Sequence, residues 1–141
     1  MQYGNRIYLF VHVIWSTSQG AALLTRPVRK VLFAHMKSHA EGKMIRILVI
    51  DGVEDHLHCL LQLHPLQTLS KVVKDLREDA AQWINENRIV DKEFGWEESY
   101  VAYSVSPSAV RQVWEYIEKQ EEHHKTKSLE SELEVFGKIP F

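Results

Sequence analysis

The feature of this sequence that most constrains its fold is the order in which two kinds of apolar pattern alternate. Runs rich in β-branched and aromatic residues predict strands, whereas apolar residues three or four positions apart predict helices. Along this chain the order is strand, helix, strand, strand, helix, strand, helix. The predicted strands cover residues 7–15, 44–50, 56–63 and 100–106, and the predicted helices cover residues 27–42, 70–87 and the stretch that begins at residue 108.

This order predicts an α+β fold. The first six elements match the βαββαβ pattern of ferredoxin-like domains, in which a four-stranded antiparallel sheet carries helices on one face. The seventh element adds a C-terminal helix to that pattern. Because the 141 residues show no internal repeat, low-complexity stretch or linker, residues 1–141 are expected to form a single domain.

The composition excludes several classes of protein. Apolar residues make up 45% of the chain and charged residues 26%, which is typical of a globular protein. No apolar run approaches the ~20 residues of a membrane span, and the first residues lack the layout of a signal peptide. The single cysteine, Cys59, excludes an internal disulfide and a cysteine-based zinc site. We therefore expect a cytoplasmic protein with no membrane partner.

The charges are unevenly distributed, although the net charge is only −2. Residues 1–50 contain seven basic residues against one acidic residue, whereas residues 51–141 contain ten basic and eighteen acidic residues. Such an asymmetry is compatible with a basic binding face on a nearly neutral molecule, and equally with a solvated helix surface.

Two histidines in the third predicted strand are the first candidates for a functional site. Residues two apart on a strand face the same side, so His56 and His58 point together, away from Leu57 and Cys59. Two imidazoles suit a divalent cation, but a third ligand must come from elsewhere in the fold. Histidines that merely cap a sheet edge are the alternative. A histidine-triad hydrolase is excluded, because the position of its third histidine is occupied by Leu60.

A second candidate lies in the last predicted helix. At ~100° per residue, Tyr116 and Gln120 lie one turn apart on a flank away from the apolar stripe that ends at Ile117. Tyr116 is therefore not expected to be a core aromatic, although a tyrosine at the margin of the core is a common alternative. His123-His124 either extends the same flank or forms a solvated helix end.

Together these segments resemble the IS200/IS605-like single-tyrosine (Y1, HUH) transposases, and the resemblance covers nearly the whole chain. It depends first on Glu54-Asp55-His56-Leu57-His58 and on Tyr116-Ile117-Glu118-Lys119-Gln120 followed by Glu-His-His. The other matching segments are His12-Val13-Ile14-Trp15-Ser16-Thr17, Trp83-Ile84-Asn85-Glu86 and Tyr103-Ser104-Val105-Ser106.

The resemblance implies a metal-dependent single-strand DNA transposase. In the family, the paired histidines and the helix glutamine bind Mg²⁺ or Mn²⁺, which carries over to His56, His58 and Gln120. The helix tyrosine, here Tyr116, attacks a phosphodiester and forms a 5′-phosphotyrosine intermediate. The reverse reaction then rejoins the DNA strands. The resemblance also implies a homodimer in which the tyrosine helix of one subunit completes the histidine site of the other in trans. We further expect the apolar first strand to lie at a sheet edge and to pair with a second copy.

The implied partner is single-stranded or hairpin DNA. We expect the basic first half of the chain to hold this DNA, and the predicted contacts are Arg26, Arg29, Lys30, Lys37 and Arg46. The acidic second half favours an alternative, a catalytically reduced or domesticated descendant that still binds hairpin DNA. A ferredoxin-like scaffold with no nucleic-acid role is a third reading, but it would not need the site residues together.

Overall fold

The computed structural model describes residues 4–124 and residue 129. Within them, four strands form one antiparallel sheet in the order β2-β3-β1-β4. This arrangement confirms the predicted α+β, ferredoxin-like fold. The elements are β1 (Leu9–Ser16), α1 (Arg26–Gly42), β2 (Arg46–Gly52), β3 (His56–Leu63), α2 (Leu69–Glu86), β4 (Val101–Val105), α3 (Val110–Glu118) and α4 (Gln120–His124). In the described part of the chain, no helix is both long enough and apolar enough to cross a membrane.

The sheet is covered on both faces, and each face takes alternate residues of the strands. On one face, Val13, Trp15 and Cys59 pack with α1 and α2 in the main core. On the other face, Leu60 packs in a second cluster with Ile117 of α3. This double cover explains why the central strands are apolar on both sides.

β1 lies at the centre of the sheet and not at its edge, where the sequence pattern predicts it. β1 pairs with β3 on one side and with β4 on the other, so the edges are β2 and β4. The expectation that β1 pairs with a second copy is therefore wrong, because a strand that is apolar on both faces is a covered central strand. The strand also begins later than predicted, since Ile7 and Tyr8 precede it and are exposed.

The β2–β3 hairpin differs from the prediction in a way that affects the site. The sequence predicts that the second strand ends at residue 50, whereas in the structure Asp51 and Gly52 continue β2 and the turn lies at residues 53–55. The register places Asp51 opposite His58 and Gly52 opposite Leu57. A Cβ at Gly52 would overlap the carbonyl oxygen of His56 and would lie 2.9 Å from Leu57 Cα, so glycine is required for this close approach.

The last predicted helix is interrupted. Helix α3 ends at Glu118, and Lys119 has φ −110° and ψ 31°, outside the helical region, before α4 begins at Gln120. Tyr116 and Gln120 therefore lie on two successive helical segments and not on one continuous helix. The break allows α3 and α4 to take different directions over the sheet.

Candidate active site

The two predicted metal histidines lie on the sheet face that α3 covers. His56 and His58 are fully buried, with 1% and 0% of their surface exposed, and their rings are 5.3 Å apart. Their position on one strand face is as predicted from the two-residue spacing. His12 of β1 joins them from the same face, with its ring 5.0 Å from that of His58.

Hydrogen bonds orient both imidazoles. His56 Nδ1 lies 2.8 Å from the carboxylate of Asp55, and His58 Nδ1 lies 2.8 Å from His12 Nε2. A proton on Nδ1, donated to either acceptor, leaves the lone pair on Nε2, which is the usual arrangement of a metal-binding histidine with its supporting partner. Asp55 and His12 thus direct the two Nε2 atoms towards a ligand. Both residues lie in the segments on which the resemblance depends. The sequence alone does not show that His12 of β1 contacts His58 of β3.

A third histidine comes from α4. The Nε2 atoms of His56 and His124 are 3.1 Å apart, and the ligand atoms of His56, His58 and His124 all lie within 4.8 Å of one another. This group could hold a metal ion. The sequence allowed two interpretations of His124, on the same helix flank as Tyr116 or at a solvated helix end. The structure places it next to the histidine pair.

Gln120, the predicted third ligand, is also buried at the site. Its side chain is 0% exposed, its Nε2 donates to the carbonyl of Tyr116 at 3.4 Å, and its Oε1 has no hydrogen-bond partner among the described residues. A buried amide oxygen in this state is costly unless a ligand satisfies it. Because amide oxygens coordinate hard divalent cations, the side chain fits a metal ion.

Asp51 fastens the start of α4 to the sheet. The backbone N–H groups of Gln120 and Gly52 both donate to its carboxylate. Burial raises the pKa of Asp51 above its ordinary value, and these hydrogen bonds partly offset the increase. Sequence reasoning placed Asp51 beyond the end of the second strand and gave it no role, because its place opposite His58 depends on the register of β2 and β3.

Tyr116 faces the histidines of its own chain. Its ring centroid lies 6.0 Å from that of His58, and it stacks on His123 at 4.3 Å with an angle of 22° between the planes. The side chain is partly buried and packs at the margin of the second core cluster, so Tyr116 is not one of the buried core aromatics but does contact the core. The tyrosine at the core margin, the common alternative, describes it better.

Two other tyrosines fit the role of nucleophile less well. Tyr103 of β4 lies on the same sheet face, with its ring 6.3 Å from that of His12, and burial raises the pKa of its phenol. A raised pKa reduces the share of reactive phenolate. Tyr100 precedes β4 and packs against the main core, with the guanidinium of Arg77 5.8 Å from its ring centre. The ring of Tyr116, by comparison, lies 6.0 Å from that of His58.

The structure separates the five predicted DNA contacts into two groups. Arg29 is only 5% exposed, and its guanidinium donates to the carbonyl of Leu24 at 2.5 Å and to Glu121 at 2.6 Å. Arg26 pairs with both carboxylate oxygens of Glu121, and this hydrogen bond and charge hold the pKa of Glu121 below its usual range. Both arginines therefore fasten α4 to α1 in this arrangement. The burial of Arg29 argues against a direct contact with DNA.

The other three predicted contacts are exposed. Lys30 lies on the outer side of α1, and Lys37 and Arg46 border the same depression of about 430 Å³. A second cleft of about 500 Å³ opens beside the histidines, and it is lined by Thr25, Arg26, Val53, Glu54, Glu121 and His124.

Comparison with known proteins agrees with this architecture. Residues 6–120 match the family described as "Transposase IS200 like". The ISDra2 transposase TnpA of Deinococcus radiodurans is 26% identical over 114 residues, which are 77% of this chain and 81% of the relative. A crystal structure assigned as a transposase of D. radiodurans R1 superposes with a TM-score of 0.67 and 24% identity, covering 83% of this chain and 94% of that one. A REP-associated tyrosine transposase bound to a REP hairpin superposes with a TM-score of 0.60 and 14% identity, covering 84% and 72%.

Proposed function

Since this chain belongs to the IS200-like transposase family, we propose that it is a metal-dependent transposase that cleaves and rejoins single-stranded DNA through Tyr116. One observation carries the proposal. Tyr116 lies 6.0 Å, ring to ring, from the buried His58, whose Nδ1 is 2.8 Å from His12 Nε2; the tautomer in which His58 donates this hydrogen bond leaves the lone pair on its Nε2 for a ligand. A buried amide oxygen on the next helical segment, Gln120 Oε1, completes the set.

His56, His58 and Gln120 would hold the ion, either Mg²⁺ or Mn²⁺. A bound divalent cation polarises the scissile phosphate and offsets the charge that develops on the leaving 3′ oxygen. The cluster fits this task because its two strand imidazoles are oriented by Asp55 and His12 before any ligand arrives.

The chain's own residues account for the covalent step. Tyr116 gives up its phenolic proton, and its oxygen bonds to phosphorus while the bond from phosphorus to the 3′ oxygen of the preceding nucleotide breaks. The leaving 3′ oxygen takes up one proton, so no net proton is gained or lost. The products are a 5′-phosphotyrosine and a free 3′ hydroxyl. Because the phosphodiester is exchanged and not hydrolysed, attack by a 3′ hydroxyl on the phosphotyrosine rejoins DNA without another energy source. Stacking on His123 restricts the orientation of the Tyr116 ring.

Hairpin or single-stranded DNA is the proposed partner, and a hairpin is named in the structure of the REP-associated relative. The cleft beside His124 gives a strand access to the site, with Arg26 at its border. Arg46 begins β2, whereas Asp51 lies five residues further along the same strand, roughly 17 Å away. We therefore assign Lys37 and Arg46 to a part of the DNA distant from the cleaved bond.

A homodimer with active sites completed in trans remains part of the proposal, and its support is family membership. The competing arrangement is a site formed in cis, since Tyr116 lies beside His58 of the same chain. Mixing Tyr116→Phe with a His56→Ala, His58→Ala variant distinguishes the two once subunits exchange. Trans sites restore one intact site and adducts form on the histidine-mutant chain, whereas cis sites restore no activity.

The alternative function is a descendant that binds hairpin DNA and no longer cleaves it. The observation that favours it lies at the cleft beside His124. Glu54 and Glu121 line this cleft, and the cations nearest to Glu121, Arg26 and Arg29, are paired with it, so a scissile phosphate would meet little positive charge there. Incubation with hairpin oligonucleotides and Mn²⁺ separates the two functions. Cleavage gives a denaturation-resistant adduct that Tyr103→Phe retains and Tyr116→Phe loses, whereas the descendant binds the same DNA and gives no adduct.

A further inference from the structure

We infer that His124 is a ligand of the divalent ion, which gives the site a third imidazole and a preference for Mn²⁺ and later transition metals over Mg²⁺. The inference rests on the proposed function, because it takes His56 and His58 as metal ligands. It goes beyond that function by adding a ligand from the C-terminal segment and by naming the class of ion.

The spacing of the nitrogens is that of two ligands on one ion. Zinc–nitrogen bonds of about 2.0–2.1 Å at angles of about 90–110° place two nitrogens roughly 2.8–3.4 Å apart. The Nε2 atoms of His56 and His124 are 3.1 Å apart, and the rings meet edge to face with an angle of 73°. An ion could therefore replace the contact between the two nitrogens if the two rings turn so that both lone pairs meet it.

In the cis arrangement of this structure, three contacts attach α4, and with it His124, to the rest of the same chain. Asp51 binds the first N–H of α4, and Glu121 binds both Arg26 and the buried Arg29. Gln120 and His124 are four residues apart on α4, so their side chains share one side of the helix. The same attachment thus presents the amide and the imidazole to the strand histidines together.

The neighbouring histidine has a different environment. His123 stacks on Tyr116, whereas His124 contacts His56, because adjacent residues on a helix point in different directions. The two histidines therefore divide between the nucleophile and the metal ligands. His123 provides a matched control with the same chemistry one position away.

The ligand set determines which ion is favoured. Mg²⁺ prefers oxygen ligands and keeps much of its water, whereas imidazole suits Mn²⁺ less than Co²⁺ or Zn²⁺ but more than Mg²⁺. Three imidazoles and one amide oxygen, from His56, His58, His124 and Gln120, form a nitrogen-rich set. Removal of His124 should therefore weaken transition-metal binding much more than Mg²⁺ binding.

Calorimetric titration of the full chain with Mn²⁺ and with Mg²⁺ tests the inference, with His124→Asn, His123→Asn and His58→Asn as variants. We expect His124→Asn to lose at least about 10-fold in Mn²⁺ affinity, the lower end of the loss caused by removing even a supporting residue. His123→Asn should keep wild-type affinity. His124→Asp, which supplies a carboxylate oxygen, should shift the preference towards Mg²⁺, and the visible absorption of bound Co²⁺ should change in both His124 variants.

The outcomes separate this inference from the proposed function. Equal Mn²⁺ affinity and an unchanged Co²⁺ spectrum in His124→Asn and wild type would overturn the inference and reduce the His56–His124 contact to a hydrogen bond. The proposed function would survive that result if His58→Asn still lost the ion. If His58→Asn bound Mn²⁺ as tightly as wild type, the proposed metal site and the inference would both be wrong. Circular dichroism melting curves establish that each variant is folded.

Discussion

Single residues control this site mainly by fixing the orientation of its imidazoles. His12 contributes no proposed ligand, but its Nε2 lies 2.8 Å from His58 Nδ1, and when it accepts the Nδ1 proton the lone pair of His58 is on Nε2. Asp55 does the same for His56. These supporting contacts explain why a buried polar residue is retained in the otherwise apolar centre of β1.

We predict that His12→Ala lowers Mn²⁺ affinity by about 10- to 100-fold while both strand ligands remain, because His58 loses its orienting partner. His64→Ala is the control, since His64 is an exposed histidine just after β3. Calorimetry on the two folded variants measures the difference. Wild-type affinity in His12→Ala would show that His58 needs no orienting partner.

Gly52 is the residue whose size sets the geometry of the hairpin. A side chain there would meet the backbone of His56 and Leu57, whereas nothing lies within 4 Å of a Cβ placed on Gly42 at the end of α1. Gly52→Ala should therefore lower the free energy of unfolding by about 1–3 kcal/mol. Gly42→Ala should leave it nearly unchanged. Urea denaturation gives both values, and equal stability of the two variants would contradict the crowding at Gly52.

Among the elements, α4 matters most for the site because it carries Gln120 and His124. The sequence did not predict the contacts that attach α4 to the rest of the chain. The period of two in β3 was sufficient to place His56 and His58 on one face. Three other features depend on contacts between distant segments: the break at Lys119, the ion pairs of Glu121 and the place of β1 between β3 and β4. Periodicity reports which side of an element is apolar, but not which element covers it.

The attachment of α4 should be sensitive to acid. Because Arg26 lowers the pKa of Glu121 in the folded chain, the stabilisation is complete above the ordinary carboxyl pKa and is lost as the pH falls through the lowered value. Glu121→Gln should therefore melt at a lower temperature than wild type at pH 7, and the gap should close as the pH falls below about 4. Glu122→Gln, the neighbouring exposed carboxylate, should show no such gap. A gap independent of pH would contradict the ionic attachment.

At the scale of the whole molecule, the charge asymmetry of the sequence is only partly available to a DNA partner. Two of the five predicted contacts, Arg26 and Arg29, pair with Glu121, and Arg29 is also buried; Arg26 is exposed but ion-paired, while Lys30, Lys37 and Arg46 are exposed. Few phosphates are then neutralised, so the dependence of affinity on salt should be shallow. The sequence revealed the excess of basic residues but not their internal ion pairs, which need the folded positions of α1 and α4.

We predict that a Lys37→Ala, Arg46→Ala variant binds a hairpin oligonucleotide more weakly. Its slope of log affinity against log salt should fall by about 1.4 to 1.8, for two lost phosphate contacts. Lys92→Ala, a substitution in the loop between α2 and β4, is the control and should leave slope and affinity unchanged. Fluorescence anisotropy at several salt concentrations measures both quantities. An unchanged slope in the double variant would show that DNA lies on another face.

The most direct test of the central claim, that Tyr116 forms the covalent intermediate, is to locate the nucleotide on the protein. The purified chain is incubated with a hairpin-bearing single strand and Mn²⁺, digested with nuclease and trypsin, and analysed by tandem mass spectrometry. The account predicts a nucleotide joined through its 5′ phosphate within residues 112–119, a tryptic peptide in which Tyr116 is the single tyrosine. A nucleotide on the peptide that contains Tyr100 and Tyr103, while residues 112–119 remain unmodified, would contradict it.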